Sequence, residues 1–436
     1  MVLVIGNSRK GTVMASFRFL HAADIHLDSP LKGLAGQDGS AVERVRTATR
    51  EAFDQLVSLA IEEKVSFLII AGDLYDGDWR DYKTGLFFAA QMGRLNAADI
   101  RVYLLHGNHD AESQITKHLD LPGNVHVFGS RGPETFRLDE LGVALHGHSF
   151  RQRDVTDNLV PHYPGPVNGA FNIGVLHTAC GMGGHENYAP CSLDDLVNRG
   201  YDYWALGHVH QATVLHERPH VVFPGNLQGR HVREVGAKGA CLVTVRDREI
   251  VAFEAIPCDV VRWAVLPVSL AGASDMGDVI DRVRETLETA VANGSDGRLL
   301  ACRIVLEGRT EVHARLISSG EQLLADARAS ALGLGDEIAW VEKVVTATEA
   351  MLDPEALAQR EDAIGELQRM LQDAKSDRDL LAQIQGDIGE LVRRLPHEVR
   401  SEDEDDILQA AIAGDYEALL SGVAAYLSAR LIAGEA

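Results

Sequence analysis

Cysteine is scarce in this 436-residue chain: Cys180, Cys191, Cys241, Cys258 and Cys302 are an odd number, widely spaced, with no C-x-x-C pair among them. That pattern excludes a disulfide framework or a cysteine zinc clip, and the thiols read as reduced and mostly structural. Long apolar runs are missing as well. Nothing approaches the roughly 18 residues that span a bilayer, and the N-terminal "VLVI" falls far short of a signal-peptide core. A cytoplasmic location with no membrane partner is therefore expected. Basic residues are outnumbered 41 to 64, a net charge of -23, so the basic face that captures nucleic acid electrostatically is not to be expected. No G-x-x-x-x-G-K-[ST] loop occurs, which removes that route to ATP.

What is present is an ordinary folded composition, 46% hydrophobic and 24% charged, long enough for two or three domains. Residues 1–16 lack a regular pattern and are expected to form a loose leader. From Phe17 short apolar runs end in polar or glycine-rich residues: "FRFLHAAD", "VSFLIIAGD", "IRVYLLHGN", "NIGVLHT" and "YDYWALGHVH". Helix-like stretches, "AVERVRTATREAFDQLVSLAIEEK" and "DYKTGLFFAAQMGRL", separate the first three. Buried strands alternating with helices predict an α/β sandwich whose ligands sit beyond the carboxyl ends of the strands. The hairpin "GACLVTVRDREIVAFEAI" closes this first domain, 17–256; a strand-helix-strand-helix-strand pattern predicts a small α+β accessory domain at 257–347, and 348–436 reads as acidic helices. In that last region Ile364, Leu367, Leu371, Ala374, Leu381, Ile384, Ile388, Leu391 and Leu395 recur mostly at spacings of three and four, with Arg378 interrupting and Pro396 as the stop.

The polar residues at the strand ends are Asp24 and His26 in "DIH", Gly72 and Asp73 in "GD", Gly107 to Asp110 in "GNHD", His177 in "LHT", and His208 and His210 in "GHVH". Carboxylates, imidazoles and one amide make a mixed oxygen and nitrogen set, suited to Mn, Fe or Zn more than to Mg or Ca alone. Any one of these pieces is weak. Five in fixed order, each ending a predicted strand, are hard to obtain by accident.

Here the chain resembles the calcineurin-like metallophosphoesterase superfamily, whose pattern is D-x-H, G-D, G-N-H-[DE], H and G-H-x-H. Within it, "HAADIHLDSPLKGL", "AGDLYD" and "HENYAPCSLDDLVNRGYDYWALGHVHQ" resemble the YhaO-like branch of the SbcD-type bacterial DNA repair exonucleases. The resemblance spans roughly residues 17–230 and implies an α-β-β-α sandwich. It implies one divalent metal ion between Asp24, His26, Asp73 and His210, and a second between Asp73, Asn108, His177 and His208. Asp73 would bridge the two, which takes a carboxylate because that group offers anionic oxygens to two cations about 3.5–4 Å apart. Manganese is the metal it implies first, with Fe or Zn as alternatives. His109 matches the family's catalytic histidine, which serves the leaving group, with Asp110 orienting its ring. The implied activity is a phosphodiester hydrolase acting on DNA as a 3′-to-5′ exonuclease, beside an SMC-like coiled-coil ATPase on which C-terminal helices dock. Homodimers are common in the family.

Other candidates carry blander readings. Asp76 stands where some related nucleases have histidine, and reads equally as an orienting group or a turn carboxylate. His21, His106, His146 and His148 read as packing or loop residues. His185 and Tyr188 could line a cleft, while "APCSLDD" reads equally as a helix start with Ser192 as N-cap. Arg230, His231 and Arg233, with Arg151 and Arg153, are candidate contacts to a nucleic-acid backbone. The acid excess is concentrated late: residues 351–436 hold 19 Asp and Glu against 8 Lys and Arg. A remote acidic region is screened beyond a Debye length of about 8 Å, so it need not repel a nucleic acid. The rival readings are a small-nucleotide phosphodiesterase, a protein phosphatase, or a noncatalytic scaffold on the same fold. "GDLYDGD" and "GNHD" differ from the phosphatase versions, and no expected ligand is missing as a scaffold would have it.

Overall fold

The computed structural model describes residues 16–29, 39–76, 82–111, 121–182, 188–351 and 354–395, together with 406–416, 418–420, 423, 426 and 427. Residues 1–15 of the leader, His185 and Pro396 lie outside them, while Ser16 already belongs to the first strand. The described residues fall into two compact units, one drawn from 1–264 and 294–301, the other from 265–293 and 302–436.

The first unit is built on two six-stranded sheets. Strand β1 (Ser16–Ala22) leads into helix α1 (Ser40–Glu62), and β2 (Phe67–Ala71) into α2 (Tyr82–Ala97). Next come β3 (Arg101–Leu105), β4 (Val125–Val127), β5 (Glu134–Leu138), β6 (Val143–Gly147), β7 (Phe171–His177), the short helix α3 (Leu193–Val197), β8 (Tyr203–Gly207), β9 (Thr213–Glu217) and β10 (His220–Phe223). The hairpin β11 (Gly239–Arg246) and β12 (Glu249–Pro257) closes the unit. One sheet runs β12-β11-β1-β2-β3-β4, the other β5-β6-β7-β8-β10-β9. Within them β1, β2, β3 and β4 are mutually parallel, as are β6, β7, β8 and β10.

Alternation along each strand divides the side chains between two layers. Phe17, Phe19, Phe67, Ile69, Tyr103 and Leu105 of the first sheet meet Val143, Leu145, Phe171, Ile173, Val175 and Tyr203 of the second in one buried core. The opposite faces are covered separately. Leu20, Leu68, Ile70, Val102 and Leu104 pack with Phe53, Leu56, Val57, Phe88 and Met92 of α1 and α2, whereas Leu176, Trp204 and Leu206 pack with Phe150, Tyr163 and Leu196. The result is the expected α-β-β-α sandwich. Strands buried on both faces read as unbroken apolar runs, which is why β1, β2, β3, β7 and β8 were visible in the sequence. Strands β4, β5, β6, β9 and β10 were not. Edge strand β9 is only half-buried, and Pro219 between β9 and β10 breaks the apolar pattern.

Strand β13 (Val261–Ser269) continues the chain, followed by α4 (Met276–Gly294), β14 (Leu299–Thr310), α5 (His313–Ser318), α6 (Gly320–Gly333) and β15 (Ala339–Ala350). The three strands form a sheet in the order β13-β14-β15. Helices α7 (Pro354–Ala358), α8 (Ala363–Ser376), α9 (Arg378–Arg394) and α10 (Asp406–Ala413) follow. Asp377 separates α8 from α9 by capping the latter, its carboxylate accepting from Asp379 N and Leu380 N. Ile364 of the apolar stripe is buried, but Met370 and Leu391 are 64% and 62% exposed. No helix among the described residues is long and apolar enough to cross a membrane.

Candidate metal centre

The carboxyl ends of β1, β2, β3, β7 and β8 open onto one edge of the sandwich, and each delivers a polar residue there. Several of these residues depart from extended backbone immediately after their strand: Asp24, His26 and Asp73 have φ near +50°, and His208 has φ +102°. Non-glycine residues hold such angles only where surrounding contacts fix them, and such clustering marks functional sites. Gly107 provides the room. A Cβ there would lie 2.3 Å from Asp73 Oδ1 and 2.9 Å from Asp73 N.

Asp73 is the hub. Its Oδ2 faces His177 Nε2 at 3.4 Å, His26 Nε2 at 3.9 Å and His109 Nε2 at 4.0 Å, while Oδ1 accepts from His109 N at 3.0 Å. Asp24 accepts from the backbone N of His208 with both oxygens and lies 3.9 Å from His210 Nε2. His26 Nε2 and His210 Nε2 approach to 3.2 Å, and His177 Nε2 and Asn108 Oδ1 to 2.9 Å. The His208 ring stands edge-on to His177, with centroids 5.3 Å apart, and to Tyr188 at 5.4 Å. All seven expected ligands thus meet at one place.

These donors suit divalent cations. Asp24, His26 and His210 present ligand atoms within 4.8 Å of one another, and so do Asp24, Asp73 and His177. His177 Nδ1 is tied to the carbonyl of Ala71 at 3.0 Å and His210 Nδ1 to Glu234 at 2.6 Å, so both rings turn Nε2 toward the carboxylates. Fixing one ring nitrogen in this way is how metal-binding histidines are oriented. Two buried carboxylates side by side also need positive charge. Burial pushes the Asp24 carboxyl up to about 6. Burial would raise Asp73 too, yet His177, His26 and His109 hold it well below the usual range. Burial lowers His177, but Asp73 and Asp24 outweigh it and bring the ring up to about 9. A bound cation would supply the charge that a protonated ring otherwise brings.

One expected pairing is corrected. Asp110 was expected to orient His109, but its carboxylate turns back into the loop after β2 and accepts from Leu74 N at 3.1 Å, Tyr75 N at 2.9 Å and Gly107 N at 3.1 Å. The carboxylate on His109 Nδ1 is Asp76, at 2.7 Å. Although burial works against it, that bond and the charge of Asp73 raise the His109 pKa above its ordinary value. The D76N variant is expected to slow hydrolysis of a small phosphodiester about 10- to 100-fold, the range for losing an orienting partner, with metal content unchanged. Initial rates alongside elemental analysis check it.

The basic cluster also takes a different form. Arg230 turns inward, 3.6 Å from Asp76 and 3.3 Å from Glu234, and its side chain is 16% exposed. His231 lies 3.6 Å from Glu234, and Arg233 is exposed beside it, as are Arg151 and Arg153. Glu234 was not anticipated. It holds His210, accepts from Arg230 N and Asn226 Nδ2, and stands 24 residues from the ring it steadies, so no local motif announced it. His21 is structural, paired with Tyr203 Oη and the Leu206 carbonyl, with burial bringing it down to about 3. His146 is held by Thr135 and Asn172. Ser192 caps α3 in a reciprocal bond with Asp195.

Imidazoles, carboxylates and an amide gathered beyond the strands of an α-β-β-α sandwich define a metal-dependent phosphoester hydrolase. The chain belongs to the calcineurin-like metallophosphoesterase family: residues 17–212 match calcineurin-like phosphoesterase, and 263–349 match the middle domain of metallophosphoesterase YhaO. It is similar to the Bacillus subtilis (strain 168) protein described as an uncharacterized metallophosphoesterase YhaO, 36% identical over 301 residues, 68% of this chain and 73% of that one. Two proteins named DNA double-strand break repair protein Mre11 are more distant. The one from Methanopyrus kandleri is 25% identical over 212 residues, 44% of each chain. The one from Sulfurisphaera tokodaii is 23% identical over 318 residues, 68% of this chain and 75% of that one.

Proposed function

We propose that this chain is a two-metal, manganese-dependent phosphodiesterase acting on DNA, a 3′-to-5′ exonuclease that works beside an SMC-like ATPase. The observation carrying the hydrolytic part is the setting of His109. Its Nε2 faces the oxygen of Asp73 at which three imidazoles converge, its Nδ1 is paired with Asp76, and its side chain is one-third exposed. Asp24, His26, Asp73 and His210 would hold one metal ion, and Asp73, Asn108, His177 and His208 the other. Bound there, such ions supply water activation and neutralise charge on the phosphoryl oxygens. His109, favoured in its charged form, donates a proton to the departing oxygen, and Asp76 keeps the ring aimed. Asp110 sets the loop from which His109 projects.

Similarity to the two Mre11-named proteins supports DNA as the substrate. Arg233, Arg151 and Arg153 are exposed and are the candidate contacts to a phosphate backbone, in keeping with weak binding by the chain alone. Exposed Met370 and Leu391 on α8 and α9 support docking of the C-terminal helices on the ATPase. The test is the full chain with manganese, offered 3′- and 5′-labelled duplex DNA, single-stranded DNA, a cyclic nucleotide and a generic phosphodiester. Stepwise shortening from the 3′ end is expected. Turnover of the cyclic nucleotide alone would end the nuclease reading.

A further inference from the structure

The segment leaving β7 carries chemistry that hydrolysis does not use. Thr178, next to His177, donates its hydroxyl to the Ala189 carbonyl at 2.7 Å, accepts from Cys180 N at 3.0 Å and lies 3.5 Å from Cys191 Sγ. Ala179 N donates to the Tyr188 carbonyl at 3.2 Å, so residues 178–180 run alongside 188–191. Cys180 and Cys191 thus converge on one hydroxyl across that narrow gap, the first through its backbone N and the second through its Sγ. Cys180 and Ala189 both hold left-handed backbone, φ 44° and 39°, which a non-glycine residue keeps only when its neighbours impose it. The other thiols are isolated. Cys241 and Cys258 belong to different cores on opposite faces of the first sheet, and Cys302 is fully buried.

We propose that Cys180 and Cys191 are a redox modification site, a dithiol that a hydroperoxide converts to a disulfide beside the metal centre. The Cys191 thiolate attacks one peroxide oxygen, the O–O bond breaks, and the other oxygen leaves as water or alcohol after taking a proton. The Cys180 thiol then attacks the resulting sulfenic sulfur, forms the S–S bond and expels a second water. Two electrons pass from the sulfurs to the peroxide. Cys191 takes the attacking role because its sulfur faces the Thr178 hydroxyl and its thiol is lowered by its neighbours, Cys180 first, whereas Cys191 and burial raise the Cys180 thiol.

Closing the bond draws the sulfurs to about 2.05 Å. The shift falls on a segment that begins next to His177 and sets Tyr188 against His208. Resting on the metal-centre reading, the consequence is weaker manganese binding in the oxidised chain, by fivefold or more, reversed by a thiol reductant.

The experiment uses the full chain, reduced, stripped of metal with a chelator, exposed to hydrogen peroxide, quenched, alkylated and mapped by mass spectrometry. Manganese affinity is measured on the same samples by calorimetry. A peptide pair joined through Cys180 and Cys191, two hydrogens lighter than the free peptides, is expected. The affinity loss should be absent in C180S, C180A and C191S. No linkage, or linkage through Cys241, Cys258 or Cys302 instead, would overturn the site. Linkage with unchanged manganese affinity would overturn its coupling to the metal centre. A chain that forms the linkage on oxidation, but that before oxidation binds manganese and hydrolyses no phosphodiester, would instead count against the proposed activity, so the two failures are distinguishable.

Discussion

Replacing Asp73 with asparagine is expected to cost about a thousandfold or more in phosphodiester hydrolysis, together with metal binding. The magnitude follows from what the residue holds. Its Oδ2 is the atom toward which His177, His26 and His109 all point, and its Oδ1 accepts the amide of the loop that carries His109. Asparagine keeps the shape but offers one neutral oxygen in place of two anionic ones, so neither cation of a bridged pair retains its shared ligand. Charge stabilisation by metal ions is worth several kcal/mol in the transition state, and each 1.36 kcal/mol is a factor of ten. Steady-state rates with manganese and elemental analysis of the purified variant check both halves. A D73N chain that kept its metal and a tenth of its rate would show that Asp73 does not bridge.

His109→Ala is expected to behave differently, losing about 10²- to 10⁴-fold in rate, the range for general acid catalysis, while keeping its metal. The dissociation arises because His109 Nε2 stands 4.0 Å from Asp73 on the exposed side of the cluster, whereas the buried rings of His26 and His177 supply the inward donors. A leaving group that needs no proton should feel the loss least. The measurement is the H109A rate on DNA against that on a p-nitrophenyl phosphodiester: a large deficit on DNA and a small one on the activated ester. Equal deficits on both would place His109 in support of the loop instead of at the leaving oxygen.

The parts of this molecule that could be read from the sequence share one physical feature. Doubly buried parallel strands are continuous apolar runs, and the residues following them must emerge at one edge, so Asp24, Asp73, Asn108, His177 and His208 announced a common site by position alone. What could not be read depends on which side chains meet across the edge. Asp110 adjoins His109 in the chain and was taken for its partner, but successive residues of a tight loop point apart, and the carboxylate that arrives on Nδ1 comes from the loop after β2. Glu234 shows the same limit: it lies beyond a run of basic residues that drew attention to surface charge, yet it folds inward to His210 and Arg230. Strands β4, β5 and β9 escaped notice because they are only partly buried and carry no unbroken apolar run, and β6 and β10 because His146 and His220 leave each only three apolar residues in a row.

The most direct measurement is the number of manganese ions bound per chain at saturation, by equilibrium dialysis and elemental analysis of the full-length protein. Two are expected, with D73N binding at most one. A wild-type chain that saturates at a single ion, or binds none, would contradict a dinuclear centre built on Asp73.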